Sequence, residues 1–194
     1  MVGNAGEEAA FYRLLALSLT GNSTLPEDST ANLIGCGSRT LARSRVDNAV
    51  PAWRYVYEAE WPNTDIGFPG AWHGSEISMA FGANEFMSRR QSTAEQKRLS
   101  FAMRTAWTGF AKEPYLALRE LGWPVYDDDG KFTFEIWWCG FTWRLKNWTR
   151  LANMFSYILA ATVIVLGGPN SSAIEFERKD RFLEGCPPSR YDIV

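Results

Sequence analysis

The spacing of apolar and polar residues divides the chain into short helices, a few strands and polar connections. Between Glu7 and Leu19, Phe11, Leu14, Leu15 and Leu19 recur at helical intervals and Gly21 supplies a stop, which predicts a helix. Glu7 and Glu8 at its start suit the positive end of a helix dipole. Gly21 to Asn32 is polar, contains Pro26 and reads as loop. Ser38 to Asn48 reads as a short basic helix with Leu41 and Val46 inward and its arginines solvated. Val50 to Trp61 alternates as a strand does, with Trp53, Tyr55 and Tyr57 on one face and Arg54, Val56 and Glu58 on the other.

Pro62 to Gly70 is loop, and Gly74 to Phe81 turns helical. Ser92 and Glu95 have capping-box spacing ahead of a helix carrying Leu99, Met103, Ala106 and Phe110 on one face, which must stop before Pro114. Pro114 to Leu121 is a further short helix ended by Gly122. Asp127-Asp128-Asp129-Gly130 lacks the alternating ligands and closing glutamate of a calcium loop and reads as a solvated turn. From Phe134 to about Ala160 the pattern is tryptophan-dense and without clean period. Tyr157 to Leu166 is nearly apolar, but ten residues fall short of the about 20 that cross a bilayer. Val163 to Leu166, bounded by Gly167-Gly168-Pro169, reads as a buried strand, with a membrane anchor as the lesser reading.

Composition narrows the picture. The 194 residues are 46% apolar, ample for one domain with a single core. Lys and Arg number 20 against 22 Asp and Glu, and this balance argues against a nucleic-acid partner, which needs a basic patch. With 9 Trp and 12 Phe, either the core is aromatic-rich or part of the surface expects a partner. Met1 to Glu8 has neither the basic opening nor the apolar run of a secretory signal, whereas sequons at Asn22, Asn147 and Asn170 point weakly toward export, so localisation stays open.

His73, the one histidine, lies between glycine-rich neighbours in Gly70-Ala71-Trp72-His73-Gly74-Ser75-Glu76-Ile77. Imidazole exchanges protons near neutral pH, so His73 is a candidate base. A lone histidine is more often a packed or surface residue, and spacing alone does not choose between these readings.

The segment Gly70 to Gly82 resembles the histidine segment of type-B carboxylesterases, the family that includes cholinesterases and fungal ester hydrolases and lipases. Gly70, His73, Gly74, Glu76, Ile77, Phe81 and Gly82 fall in register with it. Ala106 to Ala111, Pro114 and Gly122-Trp123-Pro124 look like that family too. The resemblance implies an α/β fold, the C-terminal portion of an α/β-hydrolase, mostly helices with a few strands of an incomplete sheet. It implies carboxylic ester hydrolysis with a small-molecule ester as substrate, and no metal or organic cofactor. It makes His73 the catalytic base and Glu8 the triad acid, since Gly3 to Phe11 resembles the acid segment, with Ala9 where the family has glycine.

No G-x-S-x-G nucleophile elbow occurs in the chain, and the glycine-rich oxyanion segment is missing too. The expectation is that the nucleophile half lies before Met1 and that this chain alone has negligible activity. The expected organisation is 1–133 as the acid and histidine region, 134–160 as an insert with no family counterpart, of the kind a retained intron would give, and 161–194 as the closing strand and tail. The resemblance also implies a Cys36–Cys186 bridge with Cys139 free; three reduced thiols is the alternative. Strands torn from a larger sheet, Val50–Tyr57 among them, are expected to have unmatched edges and exposed aromatics, and so to associate through an exposed sheet edge. Two rivals stand beside the hydrolase: a non-catalytic interaction protein, and a small membrane-attached protein using Tyr157–Leu166.

Overall fold

The computed structural model describes residues 1–25, 34–126, 161–178 and Cys186. Its centre is a four-stranded sheet in the order β1 (Val2–Ala5), β2 (Arg54–Tyr57), β3 (Ala161–Gly168) and β4 (Ser171–Arg178). The first three run parallel, with Val2 opposite Arg54 and Arg54 opposite Val163. β4 returns antiparallel through Pro169 and Asn170, where Asn170 takes the left-handed conformation (φ 52°) that a tight hairpin asks for and asparagine tolerates. Among the described residues six helices accompany the sheet: α1 (Ala9–Thr20), α2 (Cys36–Asp47), α3 (Ser75–Phe81), α4 (Asn84–Ser88), α5 (Ala94–Lys112) and α6 (Ala117–Glu120).

Over Val50–Trp61 the strand proper is Arg54–Tyr57, with an isolated parallel bridge from Glu60 to Pro169 beyond it, and its environment differs from the expectation. β2 is an interior strand, bonded to β1 on one side and β3 on the other. Trp53, Arg54, Val56 and Tyr57 are all buried, on both faces, as the middle strand of a parallel arrangement must be. The aromatics of this strand therefore build the core, and the sheet's outer strands among the described residues are β1 and β4.

α5 closes one side of that core. Leu99, Met103 and Ala106 are fully buried and Phe110 packs beside them, as its spacing predicts. The cap sits one residue later than predicted: the Thr93 hydroxyl, not Ser92, accepts from the Gln96 amide at 3.1 Å. Against α5 lie Trp53, Tyr57, Met79, Leu118, Ile164 and Leu166. Gly167 (φ 78°) is required here, because a Cβ on it would stand 2.5 Å from the Ala59 Cβ and 2.9 Å from a Leu99 methyl.

α1 and α2 form where expected but bury different faces. In α1 the buried residues are Ala9 and Ala10, while Phe11, Leu15 and Leu19 of the apolar stripe are 41%, 46% and 76% exposed. In α2, Ser38 and Ala42 are buried, Val46 is partly buried and Leu41 is exposed. The short helix predicted over Pro114–Leu121 is shortened to α6, with Leu118 inward and Gly122 in the left-handed region after it. Cys36, at the start of α2, is disulfide-bonded to Cys186 with Cα atoms 5.5 Å apart, the pairing the resemblance implies.

Val163 to Leu166 is a buried strand between β2 and β4, as its apolar run predicts. No helix among the described residues is long and apolar enough to cross a membrane. The Asp127–Gly130 turn, the 134–160 insert, Cys139 and Asn147 lie outside the described residues.

Candidate active site

β1 ends in a tight turn that leads directly into α1. The Gly6 amide donates to the Tyr57 carbonyl at 2.7 Å, holding the turn against β2. Glu8 precedes the helix and is 2% exposed. Its side chain folds back on the strand, where Oε1 accepts from the Ala5 amide at 2.7 Å. A buried carboxylate with one oxygen so engaged is fixed in direction, and its second oxygen is presented away from the strand.

The loop after β2 delivers His73 to that oxygen. The Glu7 amide donates to the Ala71 carbonyl at 2.9 Å, and Glu7 and Trp72 form a parallel bridge, so the loop is laid along the end of β1. Gly70 (φ 93°) makes the approach possible, because a Cβ there would lie 2.6 Å from the Glu7 Cβ. Gly74 (φ 86°) then reverses the backbone into α3. The two motif glycines thus have separate jobs, one of clearance and one of turning.

His73 Nδ1 and Glu8 Oε2 are 2.5 Å apart. A carboxylate only accepts, so the shared proton belongs to Nδ1 and the lone pair of neutral imidazole is on Nε2. The His73 side chain is 42% exposed, and no described residue is hydrogen-bonded to Nε2. The Tyr12 ring lies 5.8 Å from the imidazole, centroid to centroid. A buried acid, an oriented imidazole and an open Nε2 can move one proton to and from a group held outside the loop.

A second carboxylate stands near the pair, and residue-by-residue reasoning gave it no role. Glu76, in the first turn of α3, has its carboxyl pushed above the ordinary range, chiefly by burial and further by the charge of Glu8, while its own amide, His73 and the Gly74 amide pull the other way. Its Oε2 is buried without a hydrogen-bond partner. Glu76 stands inside the motif around His73, three residues on, which was the only signal available. Tyr55 is also held well above the ordinary phenol range, first by burial and then by Glu76 and Glu8, so it stays protonated. Among the described residues no group of three or more His, Cys, Asp or Glu side chains could hold a metal ion.

Residues 20–137 match the model of the carboxylesterase family. Over 89 residues the chain is 29% identical to the para-nitrobenzyl esterase of Bacillus subtilis (strain 168), covering 44% of this chain and 18% of that protein. Over 90 residues it is 28% identical to secreted lipase 5 of Gibberella zeae, covering 46% of this chain and 16% of the lipase. A solved PNB esterase superposes with a TM-score of 0.53 and 19% identity over 84% of this chain and 27% of that one. A thermophilic PNB esterase does so with a TM-score of 0.56 and 18% identity over 92% of this chain and 36% of its own. The fold is thus part of an α/β-hydrolase, and the chain spans less than a fifth of the length of those two sequence relatives. The family match takes in His73 and begins after Glu8.

Proposed function

The chain belongs to the carboxylesterase family, and from that premise we propose that it carries the base and the acid of a carboxylic ester hydrolase. The observation that supports this most directly is the 2.5 Å approach of His73 Nδ1 to a Glu8 carboxylate whose other oxygen is tied to the Ala5 amide. In this reading His73 Nε2 takes the proton of a serine hydroxyl as that oxygen attacks the ester carbonyl. The imidazolium then returns the proton to the departing alcohol, and water repeats the sequence on the acyl intermediate. Glu8 accepts from Nδ1 throughout, fixing the tautomer and stabilising the imidazolium. The serine and the donors that hold the oxyanion come from outside these 194 residues, since the sequence contains no G-x-S-x-G. The substrate is a small carboxylic ester.

The test is hydrolysis of p-nitrophenyl butyrate, first by the chain alone and then by a chimera in which it replaces the superposed 27% of the PNB esterase. The chain alone should show negligible turnover. The chimera should hydrolyse the ester and lose roughly 10³-fold or more on His73→Ala, with a smaller loss on Glu8→Gln. Turnover by the chimera that ignores His73 would refute the assignment. Robust turnover by the chain alone, abolished by His73→Ala, would refute the division of labour with an outside serine.

A non-catalytic interaction protein is the second reading. Its support is an apolar face on α3, α4 and α5, where Ile77, Phe81, Phe86, Met87 and Phe101 are 58–84% exposed.

A further inference from the structure

Gly21 closes α1 in the left-handed region (φ 71°), and the chain leaves the helix through Asn22-Ser23-Thr24. Asn22 and Thr24 are exposed. Asn22 Oδ1 accepts twice from Thr24, from its hydroxyl at 2.7 Å and from its amide at 2.9 Å. The Asn22 backbone is held in turn by Thr20, whose hydroxyl accepts from the Asn22 amide at 3.2 Å. These bonds each span two positions, so the local sequence can make them without a tertiary contact. Both Thr24 donors are on the carboxamide oxygen, and no hydrogen bond among the described residues engages Asn22 Nδ2.

Asn22-Ser23-Thr24 is a sequon for N-linked glycan attachment, and a second described one is arranged differently. Asn170 sits in the β3–β4 hairpin at φ 52°, with its amide donating to the Glu60 carbonyl at 3.1 Å. The hydroxyl of its sequon, on Ser172, donates to the Glu95 carboxylate and not to Asn170. The sequon at Asn147 lies outside the described residues. The Cys36–Cys186 disulfide is a separate observation, since such bonds form and persist in the secretory and extracellular compartments, where sequons meet the transferase.

We propose that Asn22 is the attachment site of an N-linked glycan. Asn22 Nδ2 attacks the anomeric carbon of a lipid-diphosphate-linked oligosaccharide. The new N–C bond replaces the C–O bond to the diphosphate, the nitrogen gives up a proton, and the lipid diphosphate departs. The two Thr24 bonds favour the step by stabilising the charge that gathers on Oδ1 as that proton leaves. α1 is 12 residues long and so sets the sugar about 18 Å from its Glu8 end. The glycan therefore leaves the His73–Glu8 pair open, and the proposal does not depend on the hydrolase reading.

The test is cell-free translation of the full chain, behind a cleavable secretory leader, with endoplasmic-reticulum microsomes. Glycans are counted as endoglycosidase-sensitive steps on a gel and located by mass spectrometry after enzymatic release in heavy-oxygen water. A sugar on Asn22 is expected in most translocated chains, with Asn170 bare in most. Asn22→Gln and Thr24→Val should each remove one step, and Thr24→Ser, which keeps a hydroxyl, should retain it. The count is taken on translocated chains, so it does not require that any variant fold. Asn22 bare in chains whose leader has been cleaved, a sugar on Asn22 that survives Thr24→Val, or Asn170 occupied at least as often as Asn22 would each overturn the proposal.

Discussion

Two helices in this chain carry the same kind of apolar stripe and meet opposite surroundings. In α5, Leu99, Met103 and Ala106 are fully buried against the sheet. In α1, Leu15 and Leu19 at the same spacing are 46% and 76% exposed, and Phe11, 41% exposed, has an edge-on contact with Tyr12 and a stacked one with Trp72. Spacing of this kind reports that a segment is helical and amphipathic; it does not report what covers the stripe. The contrast predicts a large difference in stability effects. Leu99→Ala should cost about 2–5 kcal/mol, a drop of roughly 5–15 °C in thermal melting, whereas Leu19→Ala should stay within about 0.5 kcal/mol. Equal losses would mean that the outer face of α1 is packed against a second molecule in solution.

The same contrast explains what could be read from residues alone. Helix α5 was fully legible because its period, its Pro114 stop and its polar face all agree, and even there the cap moved from Ser92 to Thr93. The inner position of β2 was not legible, because strand pairing is non-local: nothing within Arg54–Tyr57 announces that Val2–Ala5 and Ala161–Gly168 will flank it. His73 was legible as a candidate through the residues around it. Its pairing with Glu8, 65 positions away, followed only from resemblance, and the geometry then placed the two 2.5 Å apart.

α2 sharpens the contrast, since the residues it buries fully are small. Its inward residues are Ser38, bonded to Asn4 at 2.9 Å, and Ala42, while Leu41 is exposed. The covalent tie from Cys36 to Cys186, spanning 150 positions, adds to what holds this region. Cys36→Ser should cost about 2–4 kcal/mol, and a reductant should lower the melting temperature of the native chain but not of the variant. If the variant melts with the native protein, α2 is held by its packing alone.

Gly70→Ala tests the clearance that brings the His73 loop to β1. The added methyl would fall 2.6 Å from the Glu7 Cβ at a backbone φ of 93°, so the loop must move or strain. A cost of about 1–3 kcal/mol is expected, with a changed His73 ring spectrum by NMR as the loop shifts from Glu8. Gly21→Ala is the control: its φ is 71° but nothing lies within 4 Å, so it should show strain without disturbing the histidine. If both substitutions leave the imidazole signals alone, the clearance at Gly70 is not what sets the pair.

Glu76 supplies the smallest effect and the one most specific to this end of the molecule. Burial and the Glu8 charge raise its carboxyl above 4.5, so the folded chain holds this proton more tightly than the unfolded chain does. The protonated group's contribution to stability is complete below pH 4.5 and is lost as pH rises through the raised value. Glu76→Gln removes that loss while keeping size and shape. The variant should therefore melt with the native protein at pH 4 and above it at pH 8, by about 2–4 °C for each kcal/mol relieved. Adding Glu8→Gln should shrink the pH 8 gain, because Glu8 is one source of the shift. A Glu76→Gln gain that is the same at both pH values would mean the effect comes from packing, and would remove Glu76 from the electrostatic surroundings of the His73–Glu8 pair.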